Sequence, residues 1–208
     1  MTSPTPVFAP GRSTIAETPF KGFVTLLKLN VPNQGFPSIV MVASNSVVGL
    51  LYDATNDRVL LVNQQRPAME TEENPDGSIT ELVAGRFDVN LGPVALLIKE
   101  AKEEAGVTLT EDDVLEINDG VPMALSAGVL TERCYGVFAE ISMDQVEEGD
   151  EGYGVEAEGE QISRVWQDAD EFVNGVHDCW RVYAMAQFLA RRRLEAKIAQ
   201  LEADLASR

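Results

Sequence analysis

Glu100, Glu103 and Glu104 stand at i, i+3 and i+4 in the run KEAKEEAG, so on a helix their carboxylates emerge as neighbours on one side. Like charges so placed repel one another, and in the C-terminal half of a helix the macrodipole disfavours anions as well. A divalent cation relieves both costs. Carboxylate oxygens are the ligands that Mg2+ or Mn2+ takes, usually a few of them together with phosphate oxygens of a substrate. The same spacing also suits a solvated helix face, so the surroundings of the triad must decide.

The helix that carries the triad is bounded by Pro93, which suits a first turn, and Gly106, which suits the position past the end. Val94, Leu97, Ile98, Ala101 and Ala105 fall on one face at helical spacing, so this helix packs on a core with its carboxylates alongside. Upstream, residues 1–19 read as an arm. Phe20 to Val31 and Ser38 to Val42 read as a hairpin around Pro32-Asn33-Gln34-Gly35, and Ser46 to Tyr52 with Arg58 to Asn63 as a second one. A loop over Met69 to Ser78 precedes a strand, Ile79 to Val83, that runs into Ala84-Gly85. Further strands are expected at Val107 to Leu109, Val114 to Ile117, Arg133 to Ile141 and Ile162 to Trp166, and helix from Asp178 onward. Trp166, Trp180, Tyr183 and Phe188 are expected in the core. In the tail, Leu194, Ile198, Leu201 and Leu205 form a stripe that packs on its own domain or on a partner chain. The class is α/β, divided as 1–42 (arm and hairpin), 43–190 (main domain) and 191–208 (helical tail).

With 34 acidic against 16 basic residues and a formal charge of −18, the chain repels nucleic acid and anionic membrane. A small anionic substrate remains compatible, because a cation in one pocket reverses the local field. Cys134 and Cys179 lie far apart and suggest neither a disulfide framework nor a zinc site. No export signal or membrane span is expected, and the location expected is cytoplasmic.

The stretch ELVAGRFDVNLGPVALLIKEAKEEAGV resembles the Nudix box, G-x5-E-x7-R-E-apolar-x-E-E-x-G-apolar: Gly85, Glu100, Ala101, Glu103, Glu104, Gly106 and Val107 all match. SVVGLLYDATNDRVLLVNQQRPA, SAGVLTER and EAEGEQI are similar to the ADP-ribose and nucleotide-sugar pyrophosphatase branch of that family, over roughly residues 20–190. The resemblance implies an α/β/α Nudix sandwich with a mixed sheet and a homodimer built partly through the N-terminal β segment. Two positions depart from the box. Leu91 replaces its first Glu and Lys99 its Arg, so a point charge stands where a bidentate fork would orient the carboxylates.

By the same resemblance, Glu100, Glu104 and the Ala84 carbonyl would hold the metal, with Glu103 beside them as a catalytic carboxylate. Asp144 to Glu160 holds eight acidic residues and no basic one; Asp144 to Glu151 is expected to lack regular structure, whereas EGEQI resembles a loop that supplies the general base, Glu158, and a metal-side carboxylate, Glu160. The order of those two roles stays open. Arg66 matches a phosphate-contacting arginine, the alternative being a surface position. Glu132 contacts sugar hydroxyls or bridges local structure, and Phe23 stacks on a nucleobase or packs in a core or dimer contact. His177, the single histidine, is expected to lead into the last helix.

The expectation that follows is Mg2+-dependent hydrolysis (Mn2+ as an alternative metal) of the pyrophosphate of ADP-ribose or another nucleoside diphosphate sugar. The apolar run Ser38-Ile39-Val40-Met41-Val42 counts against ADP-ribose and keeps UDP- and GDP-sugars open. A module that binds a nucleotide or a protein partner without turnover is the competing expectation, motivated by Leu91 and Lys99.

Overall fold

The computed structural model describes residues 11–22, 24–88, 90–155 and 160–207. Strands β1 (Thr14–Lys21), β2 (Thr25–Asn30) and β3 (Ser38–Val42) make an antiparallel sheet in chain order. Leu27, Leu29 and Val42 form its small core. Within the expected arm of residues 1–19 a strand already begins at Thr14. The strand TIAETPFK is exposed along its whole length and shifts register twice against β2, so backbone pairing holds it without apolar alternation to announce it.

The main sheet contains β4 (Ser46–Asp53), β5 (Arg58–Gln65), β6 (Ser78–Glu81), β7 (Val83–Arg86), β8 (Val114–Glu116), β9 (Met123–Ala124), β10 (Arg133–Glu140), β11 (Glu151–Tyr153) and β12 (Ile162–Asp168). Its order is β11-β12-β5-β4-β10-β8, with β6 on β5, β7 on β4 and β9 on β10. β4 and β10 run parallel and the other pairs antiparallel, so the sheet is mixed.

The β4–β5 hairpin stays paired only from Leu51↔Leu60 to its turn. Beyond that the two strands part, β6 pairs with β5 and β7 with β4. The single strand expected from Ile79 into Gly85 is thus two, broken at Leu82, because its halves bond to different partners. The break delivers Ala84 and Gly85 into the sheet opposite Val48 and Val47.

Successive residues of β4 and β5 face opposite sides, as strand pleat requires. Val47, Leu51, Leu60 and Val62 pack with Leu97 and Ala101 of α1 (Pro93–Ala105). Val48, Leu50, Val59 and Leu61 pack with Phe172 of α2 (Ala169–Asn174) and with Met185 and Leu189 of α3 (Trp180–Ala206). Helices cover both faces of the sheet, giving the expected α/β sandwich; each buried leucine contributes roughly 1.5–3 kcal/mol by leaving water.

Several local expectations are corrected. Val107 makes only an isolated bridge with Val146 rather than a strand over Val107 to Leu109. The acidic stretch from Asp144 is anchored: Glu147 pairs with Lys102, Asp150 lies 3.3 Å from Arg164, and Glu151 opens β11. Trp180 and Tyr183 are exposed rather than in the core. Arg193 ties α3 down through Asp57 and Asp170, each at 2.7 Å, and past that clamp Leu194, Ile198, Leu201 and Leu205 all stand exposed rather than on the chain's own domain. His177 does precede α3, and its Nε2 is 2.7 Å from the Phe172 carbonyl oxygen. Among the described residues no helix is long and apolar enough to cross a membrane.

Candidate active site

α1 begins at Pro93 and ends at Gly106, whose left-handed backbone (φ 61°) lets the chain turn away; the N–H groups of Gly106 and Val107 donate to the carbonyls of Lys102 and Ala101. The apolar stripe seats the helix on the sheet with its carboxylate side toward β7. The approach is close. A Cβ at position 85 would stand 2.3 Å from Cγ of Glu100, so only glycine lets the strand pass the carboxylate there.

Glu104 is 4% exposed and accepts a hydrogen bond of 3.0 Å from the Ala84 N–H. Burial pushes its carboxyl up to about 8, with Glu100 and Glu160 adding like-charge repulsion that the Ala84 bond and Arg66 only partly offset. Burial likewise pushes Glu100 up to about 7, against the pull of Lys99. Two neighbouring carboxyls are therefore held toward their neutral forms, chiefly by burial.

Lys99 brings positive charge to the triad. Its ammonium bonds to Glu103 and lies 3.5 Å from Glu100. Burial works to lower the Lys99 pKa, but the two carboxylates outweigh it and raise it. The residue at the box's arginine position thus still contacts the triad.

Across the cleft, Arg66 follows β5 and its Nε donates to Glu81 Oε1 at 2.6 Å, while Arg181 approaches Glu81 Oε2 at 3.7 Å. Glu81 is buried and shared between two partly exposed guanidinium groups. Burial alone would lower the Arg181 pKa; the neighbouring Glu81 raises it. On the third side Ser46 Oγ donates to Glu132 Oε1 at 2.6 Å, so Glu132 bridges β4 to the segment ahead of β10. The Gly154 N–H bonds the Glu103 carbonyl, and the Val155 N–H bonds Glu160 Oε2 at 3.2 Å, which lays the segment after β11 over the end of α1.

The result is a cleft of about 600 Å3. Ala84, Glu100, Glu103, Glu104, Arg66, Glu132 and Glu160 all line it, so every expected site residue that is described comes together. Phe23 and Glu158 lie outside the described residues. Sequence reasoning missed Glu81, Trp180 and Arg181. A lone acid inside the apolar strand ITELV signals a buried charge and could have revealed Glu81. Nothing in the spacing ties the start of α3 to a site almost 80 positions upstream.

Carboxyls only partly neutralised by Lys99 and open to a cleft are a donor set that suits a hard divalent cation. Among the described residues no group of three acidic, histidine or cysteine side chains stands close enough to hold an ion by itself. Any such ion would complete its shell with ligand and water oxygens.

No family model matches the chain. It is similar to the GDP-mannose pyrophosphatase of Yersinia enterocolitica, 36% identical over 101 residues (49% of this chain and 50% of the relative). Similar proteins of the same name occur in Enterobacter sp. (34% over 114 residues, 55% and 56%) and Salmonella arizonae (35% over 118 residues, 57% and 58%). The chain spans about half the length of these curated relatives. Its likeness is thus to enzymes named for cleaving the pyrophosphate of a nucleotide sugar.

Proposed function

We propose that the chain is a Nudix-type, Mg2+-dependent pyrophosphohydrolase that splits a nucleoside diphosphate sugar into a nucleoside monophosphate and a sugar phosphate. GDP-mannose is the first substrate to consider, ahead of ADP-ribose, since the relatives are named for it. The observation that carries the reading is the pairing, in one cleft, of the half-buried Glu100 and the buried Glu104, both with raised pKa, with Arg66 and Arg181. The guanidinium N–H groups can donate to anionic phosphate oxygens, and the carboxylates would hold a cation beside them.

Bound Mg2+, or Mn2+, would supply Lewis acidity toward the phosphoryl oxygens and neutralise charge developing on them. Glu100, Glu104 and the Ala84 carbonyl are its proposed holders, with Glu160 as the metal-side carboxylate. The rest falls to the chain's own groups. Arg66 and Arg181, fixed by Glu81, bind and orient the diphosphate. Glu103, held by Lys99, keeps the carboxylate face in register. Water attacks one phosphorus in line, a phosphoanhydride P–O bond breaks, and a loop carboxylate takes the water's proton; Glu158 is the proposed base. Glu132 is the proposed contact for sugar hydroxyls.

We further propose that two copies associate through the N-terminal sheet, where Ile15, Phe20 and Ile39 are exposed. A nucleotide-binding module without turnover is the second reading, favoured by the Lys99 ammonium standing on the triad. Incubation of GDP-mannose, ADP-ribose, UDP-glucose and a nucleoside triphosphate with Mg2+, with products separated by anion exchange, tests the proposal. Nucleoside monophosphate plus sugar phosphate from a nucleotide sugar supports it. Absence of turnover together with a nucleotide-induced rise in Tm supports the binding module instead.

A further inference from the structure

Trp180 is 67% exposed, far more than a tryptophan costs nothing to leave in water, and it lines the same cleft as Glu100, Glu104 and Arg66. It does not hang free. Its ring stacks on Tyr183, one turn further along α3, with centroids 5.7 Å apart and planes at 27°. Tyr183 backs one face of the indole and leaves the other unclaimed by any described ring. The next residue, Arg181, is held by Glu81, which also holds Arg66. The start of α3 therefore sets a planar aromatic face beside a fixed cation at one wall of a polar cleft.

We infer that Trp180 is the platform on which the nucleobase of the substrate stacks, with Arg181 holding the adjoining phosphate. The inference rests on the proposed nucleotide-sugar reading and assigns the base end of that substrate. The base lies along the Trp180–Arg181 wall and the diphosphate between the arginines and the carboxylates. A purine offers the larger π-face and gains more from such a platform than a pyrimidine. Leu125, a further residue of the cleft wall, adds apolar lining rather than competing hydrogen-bond donors.

The test uses the two tryptophans against each other. Trp166 lies beneath the Arg58 guanidinium, 3.9 Å from ring centroid to carbon, and lines no part of the cleft, so its emission serves as the internal control. Titrating the 208-residue chain with GMP in the presence of Mg2+ should quench emission, whereas mannose 1-phosphate should not. Trp180→Phe should lose the GMP quench and Trp166→Phe should retain it. In steady state, Trp180→Ala should raise KM for GDP-mannose roughly five- to hundredfold, the range for removing one base–aromatic stack. Its kcat should stay within about threefold, and Trp180→Phe should restore KM. Turnover by the wild type with GMP quench and KM indifferent to Trp180 overturns the inference and leaves the proposed function standing. Neither turnover nor GMP binding by the wild type overturns both.

Discussion

A β-carbon at position 85 would stand 2.3 Å from Cγ of Glu100, closer than real side chains approach, so Gly85 and Glu100 share a space that admits only one side chain. Gly85→Ala must displace the Glu100 carboxylate from its present position. We expect turnover to fall about a hundredfold, as a displacement of about 1 Å at a reacting centre does, with secondary structure intact by circular dichroism. Unchanged turnover would show that Glu100 is not where the chemistry needs it.

Glu104 and Glu100 carry pKa values near 8 and 7 against an ordinary 4.5. In the cation-free protein the folded state therefore keeps protons that the unfolded chain has released between pH 4.5 and about 8. Stability is greatest below that window and declines as pH rises through it, by at most about 1.4 kcal/mol for each pKa unit. Melting in EDTA should show Tm falling from pH 5.5 to 8. Glu104→Gln should flatten that fall, and Mg2+ should raise Tm most at the alkaline end for the wild type only.

Lys99 holds Glu103 and stands 3.5 Å from Glu100, whose carboxyl it draws down against burial. Lys99→Gln removes that pull, so the Glu100 pKa rises further. The acid limb of the pH–rate profile should move to higher pH, while Lys99→Arg leaves it in place. A limb indifferent to both variants would make Lys99 a bystander.

Glu81 is the buried anchor between Arg66, at 2.6 Å, and Arg181, at 3.7 Å. Glu81→Gln keeps the volume and loses the charge that orients both guanidinium groups. KM for a nucleotide sugar should increase about ten- to a hundredfold, the equivalent of one charge-assisted hydrogen bond, with kcat less affected. Steady-state kinetics would show it; an effect on kcat alone would mean that the arginines act only in the transition state.

Parts of this architecture were open to reading from the sequence. The α1 stripe with Pro93 and Gly106 at its ends fixed the helix that carries the triad, because helical period and caps are local signals. The β4 and β5 runs were equally plain, since both faces are buried. Less legible was the division of β6 from β7 at Leu82, which depends on where β4 and β5 part, a long-range event without a sequence mark. β1 stayed hidden because it buries nothing. The carboxylates, Arg66, Glu132 and Glu160 were named through their resemblance to a known pattern, and they do line one cleft. Trp180, Arg181 and Glu81 join them only through tertiary packing: α3 must lie on the far face of the sheet before its first turn reaches the site.

The decisive experiment for the proposed cleavage of a nucleotide-sugar pyrophosphate by Glu100, Glu104 and a divalent cation is GDP-mannose hydrolysis as a function of Mg2+ concentration, for the wild type and Glu104→Gln at equal folded concentration. The expected result is saturable, Mg2+-dependent release of GMP and mannose 1-phosphate, and a fall of at least about a hundredfold in the variant. Turnover that ignores Mg2+, or that survives Glu104→Gln unchanged, would contradict it.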